Sequence, residues 1–139
     1  MKLNLKLDDG AFEPTRAHHL DAGYDLRTPH DVIVWDEDSI IVDTGVHAAI
    51  PAGHFGLVTN KSSLNFNRSV IVGTGIIDCG YTGSIKVKLY NLGDIRAVFK
   101  AGDGIAQLII VPCAFPDVEL VDELEPTERG DGGFGSTGR

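Results

Sequence analysis

The segment Ser84–Asn91 sets Ile85, Val87 and Leu89 against Lys86, Lys88 and Tyr90, and Lys2–Leu7 sets Leu3, Leu5 and Leu7 against Lys2, Asn4 and Lys6. A two-residue period places one face of an extended strand in a core, and it conflicts with the 3.6-residue period of a packed helix. Val32–Trp35, Ser39–Val42, Phe55–Thr59, Arg68–Val72, Ile95–Phe99, Ile105–Val111 and Val118–Val121 read as further short strands. Turn signals such as PHD, PAGH, NLGD and KAGD separate them at intervals of roughly 8–12 residues. One short helix is expected at Ser62–Asn67, with Ser62 or Ser63 as its cap. The predicted class is all-β: a sandwich, jelly roll or barrel.

With 139 residues, the chain is expected to form one domain. It has 12 Lys+Arg against 20 Asp+Glu, a net charge of −8 that argues against broad nucleic-acid binding. No apolar run is long enough to span a bilayer. The opening MKLNLKLDDG meets acids by residue 8, which is not the pattern of a signal peptide. Cys79 and Cys113 give neither a disulfide framework nor zinc spacing, so a cytoplasmic location is expected. Cys79 is expected to be a buried or semi-buried thiol, Trp35 a core or interface residue, and the five histidines surface or structural groups. Glycine is in excess, 17 residues, and 12 of them cluster around 23, 73–83, 102–104 and 130–138. Such clusters serve turns and close backbone approach to a ligand.

Two stretches stand out chemically. Asp117–Glu128 carries six acids and no Lys or Arg, and RGDGGFGSTGR follows. That tail reads either as disordered or as an arm that orders on a ligand. Its glycine N–H groups can form an anion nest, Ser136 and Thr137 add hydroxyls, Arg129 a planar cation and Phe134 a stacking ring. Base plus phosphates means a nucleotide, yet neither a P-loop nor a Rossmann fingerprint is present. In VGTGIIDCGYTG, Asp78 is either a turn residue or a placed general base. Tyr81, three residues on, fits a hairpin tip that holds both over one pocket.

Five ordered segments carry a resemblance: AGYDL (Ala22–Leu26), NKSSL (Asn60–Leu64), GTGIIDCGYTG (Gly73–Gly83), GDGIAQL (Gly102–Leu108) and RGDGGFGSTG (Arg129–Gly138). Together they resemble the five motifs of the trimeric dUTPases. The resemblance implies a distorted jelly roll or β-clip barrel over residues 1–128, with a flexible arm over 129–139 closing the active site. It implies hydrolysis of dUTP to dUMP and pyrophosphate, which keeps uracil out of DNA and supplies dUMP for dTMP synthesis. Asp78 resembles the base that orients the attacking water. Tyr81 resembles the ring beneath the deoxyribose. The backbone about Val72, Gly75, Ile76 and Ile77 resembles the uracil reader, and Lys86 falls at another nucleotide-contacting position. Asp25 resembles the carboxylate that holds waters of a Mg²⁺ carried by the phosphates. Lys61, Ser62, Ser63 and Gln107 match phosphate-binding positions. Arg129 would meet the γ-phosphate, Phe134 would cover the uracil, and Gly135, Ser136 and Thr137 would close over the phosphates.

The resemblance further implies a homotrimer whose sites are shared between subunits, with no nucleic-acid or membrane partner, in the cytoplasm or a host's cytoplasm. Three family arginines are replaced, by Lys61, Thr82 and Gly104; a bidentate cation becomes a point charge at Lys61. Asn60, for a frequent proline, is expected to matter little. A dCTP deaminase, or a bifunctional deaminase-diphosphatase, shares the fold. Lys88, however, stands where that family has its catalytic Glu, and Tyr81 where it has Trp. A non-catalytic regulatory module would have no use for Asp78, Tyr81, Arg129 and Phe134 together.

Overall fold

The computed structural model describes residues 1–73 and 75–135. Among them ten strands and one short helix follow in order: β1 (Asn4–Leu7), β2 (Gly23–Arg27), β3 (Val32–Val34), β4 (Ser39–Ala49), β5 (His54–Thr59), α1 (Ser62–Arg68), β6 (Val70–Val72), β7 (Gly75–Ile77), β8 (Ser84–Asn91), β9 (Ala97–Phe99) and β10 (Gly104–Pro112). The fold is all-β with one short helix. One sheet runs β1-β4-β8-β6, a second runs β2-β10-β5-β7, and β3 pairs with β9 in a small third sheet. All pairings between these strands are antiparallel.

The alternation in β8 is realised in full: Ile85, Val87 and Leu89 are completely buried, while Lys86 and Lys88 face solvent. They meet Val42 and Val46 of β4, Val70 and Val72 of β6, and Leu26, Val58, Ile105 and Leu108 from the second sheet. Phe99 of β9, 1% exposed, belongs to the same core. Each fully buried aliphatic side chain contributes about 1.5–3 kcal/mol of transfer free energy.

Polar groups enter the core only with partners. Thr44 Oγ1 donates to the Ile85 carbonyl at 2.7 Å, and Thr28 Oγ1 to that of His30 at 2.7 Å. Asn91, 1% exposed, does more: its Nδ2 donates to Val34 O (3.1 Å) and Ile95 O (2.8 Å), and its Oδ1 accepts from Gly93 N–H (3.0 Å). It thereby ties the end of β8 to the small sheet.

Several expectations are corrected. Val118–Val121 is not a strand: no described segment of the chain pairs with it, and Val118 and Leu120 are fully exposed. A lone apolar alternation without a partner edge cannot satisfy its backbone as a strand. The helix cap is Lys61, in extended conformation with no side-chain bond, so Ser62 and Ser63 sit inside the first turn. Trp35 is 52% exposed rather than core, with Arg96 stacked over it at 5.6 Å. Cys79 is exposed. β2 carries no recognisable alternation because its buried positions, Gly23 and Leu26, are three residues apart, and β4 runs seven residues beyond Val42, to Ala49, through a bulge.

Asn91→Ala leaves the Val34 and Ile95 carbonyls without their donor. It is expected to destabilise by about 1–3 kcal/mol; a urea midpoint unchanged from the parent would contradict this role.

Candidate active site

β10 lies between β2 and β5, so its residues face partners on both sides. Gln107 stands opposite Asp25 on β2 and opposite Thr59 on β5. Just beyond Thr59 the chain turns into α1. This register gathers Gly23, Asp25, Lys61, Ser62, Ser63 and Gln107 around one cleft of about 350 Å³. Lys61 Nζ lies 2.6 Å from Asp25 Oδ2, with both side chains about three-quarters buried. Gln107 Nε2 donates to the Asn60 carbonyl at 2.7 Å. The first N–H groups of α1 have no intrahelical acceptor, a consequence of helix geometry, and so Ser62 and Ser63 offer amide and hydroxyl donors together.

Two glycines make this arrangement possible. A Cβ at Gly23 would fall 2.2 Å from Gln107 Oε1 and 3.0 Å from its Cβ, so only glycine admits the amide. A Cβ at Gly104 would fall 3.0 Å from Lys61 Nζ and 3.3 Å from its Cε. Position 104, read from the sequence as a lost cation, is the space through which Lys61 reaches Asp25. Arg27 is committed to Gly102 O and Thr15, Arg68 to Val98 O and the Phe99 ring, and Arg96 to Trp35. Among the described residues, Lys61 is the basic side chain lining the cleft.

Asp78 and Tyr81 lie elsewhere. β6 and β8 pair as a wide hairpin, and the connection between them detours to place β7 on β5 of the other sheet. Asp78 follows β7, and Tyr81 N–H donates to Asp78 O at 3.1 Å, closing a turn. Tyr81 OH donates to Ser84 O at 3.0 Å, and its ring lies against Gly83, where a Cβ would clash. Both Asp78 and Tyr81 are exposed. Because β7 is antiparallel to β5 with Ile77 opposite Gly56, Asp78 sits at the start of β5 and Lys61 beyond its end. Along a strand that separation is roughly 20 Å. One chain therefore does not place Asp78 over its own cleft.

Of the proposed base readers, Ile77 packs on the core, Ile76 is 54% exposed and Gly75 half-buried. Val72 is buried, and its N–H donates to Asn60 Oδ1. Asn60 is thus consequential: its side chain holds β6 and its carbonyl holds Gln107. Sequence reading undervalued it because neither partner is near in sequence. Lys86 is exposed, opposite Asp43. In the arm, Arg129 Nε donates to Gly132 O at 2.7 Å, Phe134 is fully exposed at φ +50°, and Gly135 has φ +90°. The expected contacts of Ser136 and Thr137 lie outside the described residues.

No group of three or more His, Cys, Asp or Glu able to hold a metal ion occurs among the described residues. The cleft offers one ion-paired carboxylate, Asp25, a neighbouring Asp21, and hydroxyl and amide donors. That donor set does not fit a dedicated metal cage. It does fit Mg²⁺ that arrives on phosphate oxygens and keeps most of its waters, with Asp25 as acceptor for one of them. No described helix is long and apolar enough to cross a membrane.

Comparison with known proteins agrees with this geometry. A family model for dUTPase matches residues 11–138. Deoxyuridine 5'-triphosphate nucleotidohydrolase of Mus musculus is 42% identical over 135 residues, covering 97% of this chain and 83% of that protein. The enzyme of the same name from Arabidopsis thaliana is 44% identical over 133 residues, covering 96% and 80%. Among solved structures, a mutant dUTPase of Staphylococcus bacteriophage 80alpha with dUpNHpp superposes with TM-score 0.89 at 31% identity, covering 99% of each chain. A mutant dUTPase from phage phi11 of S. aureus, described with a structural Mg(II) ion, gives 0.81 at 28% identity, covering 88% and 98%. The all-β fold is thus matched along nearly its whole length by dUTPases. The chain belongs to the dUTPase family, and its activity is that of a dUTP nucleotidohydrolase, a dUTP diphosphatase.

Gly23→Ala forces Gln107 off β2 and breaks its bond to Asn60. It is expected to cost about 1–3 kcal/mol, as overpacking does. A stability equal to the parent's in urea would show that Gln107 swings clear.

Proposed function

We propose that the chain hydrolyses dUTP to dUMP and pyrophosphate by in-line attack of a water activated by Asp78 on the α-phosphorus. In this reading the Asp78 carboxylate accepts the water's proton as the P–O bond forms and the pyrophosphate oxygen leaves. Positioning of that water and its base contributes about 10²–10⁴-fold. The triphosphate lies in the Asp25–Lys61–Ser62–Ser63–Gln107 cleft, where Ser62 and Ser63 donate hydroxyl and amide hydrogens to its oxygens. Mg²⁺, when bound, would neutralise the phosphates and stabilise charge on the departing oxygens. Asp25 would orient its waters. That leaves Lys61 free to turn from Asp25 to a phosphate, a short swing within the space that Gly104 leaves open. The exposed face of Tyr81 would lie beneath the deoxyribose, and the backbone between Val72 and Ile77, with Lys86 beside it, would read the base. Residues 129–139 would act as an arm beyond a single domain of residues 1–128. Arg129 would meet the γ-phosphate and Phe134 would cover the uracil, while Gly135, Ser136 and Thr137 closed on the phosphates.

The observation that carries this reading is the separation of Asp78 from the cleft along β5. A complete site then needs more than one copy, and we propose a homotrimer with shared sites. The exposed side chains of Phe115, Val118, Leu120 and Leu124 support it, since large apolar groups left in water favour a covering partner. The dUpNHpp bound in the phage relative supports the ligand class. Nothing about Lys88, exposed on β8, favours deamination.

Asp78→Asn should retain dUTP binding and lose at least about 10²-fold in kcat. Pyrophosphate and ammonia release from dUTP, dTTP, dCTP and UTP, with and without Mg²⁺, measures both reaction and specificity. Near-parent turnover by the variant would require another base, and ammonia from dCTP would overturn the substrate assignment.

A further inference from the structure

We infer that His47, as an imidazolium, is a positioning residue that clamps the Asp78–Gly83 turn to the opposite edge of the first sheet. It stands on β4 opposite Ser84 of β8 and opposite Lys6 of β1. Its Nδ1 lies 2.7 Å from Thr82 O, and its Nε2 lies 3.0 Å from Asp8 Oδ2. A backbone carbonyl and an ionised carboxylate only accept hydrogen bonds. A neutral imidazole carries one N–H, so both bonds exist together only when both ring nitrogens are protonated. The clamp is thus intact in one protonation state and half-broken in the other.

The rest of the local structure is built to hold this geometry. β4 bulges between Asp43 and His47, with Gly45 at φ +68°. A Cβ at Gly45 would meet Ala11 Cβ at 2.9 Å, so the turn after β1 packs directly on the bulge. Asp8 N–H donates to Gly45 O at 2.9 Å, and Asp8 O accepts from Ala11 N–H at 3.0 Å, which fixes the carboxylate's origin. On the other side of the bulge, Asp43 Oδ1 accepts from Gly45 N–H at 3.1 Å and from Ser84 Oγ. Thr82 O, Ser84 Oγ and the Tyr81 OH bond to Ser84 O are the anchors of the turn that begins at Asp78. Only the first of them depends on the protonation of an imidazole.

The charged groups around His47 are Asp8 after β1, Lys6 on β1, Asp43 on β4 and Lys86 on β8. The Thr82 carbonyl and then the Asp8 carboxylate hold the imidazole above its usual range, opposed by desolvation and, less, by Lys6. The His47 bond, in turn, holds Asp8 below the usual carboxylate range. For the raised group, stability is fully present below its unfolded value and is lost as pH rises through the folded one; for the lowered group, it is present above its unfolded value and lost as pH falls through the folded one. The clamp is therefore complete from weakly acidic pH up to the raised imidazole value, and weakens above it.

The inference rests on Asp78 acting at the site, and the test separates the two. Histidine-resolved NMR titration of the full-length protein should find His47 titrating above an ordinary histidine, and Asp8→Asn should lower that value. The kcat for dUTP should fall roughly 2- to 10-fold as pH rises through the same value, the worth of one hydrogen bond. His47→Gln should remove that step and sit at the lower plateau. Asp8→Asn, which keeps the ring, should move the step with the NMR value. An ordinary His47 titration, or a kcat profile unchanged in His47→Gln, would overturn the inference. Turnover by Asp78→Asn would instead sink the base assignment and leave the NMR result standing.

Discussion

The backbone pairing of β10 with both β2 and β5 is the constraint on which the cleft depends. Hydrogen-bond register places Gln107 beside Asp25 on one flank and beside Thr59 on the other, one residue from Asn60. A one-residue slip would turn Gln107 to the opposite face and bury a cleft residue. The ion pair of Lys61 with Asp25 and the bond of Gln107 to Asn60 follow from this register rather than creating it. Gly23 and Gly104 are the positions where the resulting closeness forbids a side chain.

The same sheet explains why the turn that carries Asp78 is remote from the cleft. β7 adds to the far flank of β5 in the antiparallel sense, which carries Asp78 away from the helix end as the strand advances. The turn is fastened to the first sheet through Ser84, Tyr81 and His47, while β7 belongs to the second. The cleft and the turn are thus two separate groups of polar residues in one chain, one with hydroxyl and amide donors and the other with the Asp78 carboxylate. A net charge of −8 is no obstacle to such a cleft, because a small ligand meets local groups and not the whole surface. The committed arginines leave few cations to spare, and the proposed function therefore gives the phosphates a divalent counter-ion.

Much of this was legible in the sequence, where the signal was local. Ile85, Val87 and Leu89 announced β8, and the helix was found within a residue of its end. What was not legible depended on distant pairing. Val118–Val121 has the alternation of a strand but pairs with no strand among the described residues. Asn60 and His47 act through residues 12 to 47 positions away, which no local pattern reveals. Gly104 looked like a missing cation, because sequence shows which side chain is absent and not which neighbour uses the space. Grouping Asp25, Lys61, Ser62, Ser63 and Gln107 came from motif resemblance, and the cleft unites them. Placing Asp78 and the arm with them is what the proposed homotrimer would supply.

The most direct measurement is complementation between two inactive chains: Asp78→Asn, and a chain ending at Glu128. Each alone should release almost no pyrophosphate from dUTP. Unfolded together and refolded as mixed assemblies, they should recover activity, because some sites then combine Asp78 from one chain with the arm of another. If mixed assemblies form but remain inactive, the site is not shared between copies and the account is contradicted.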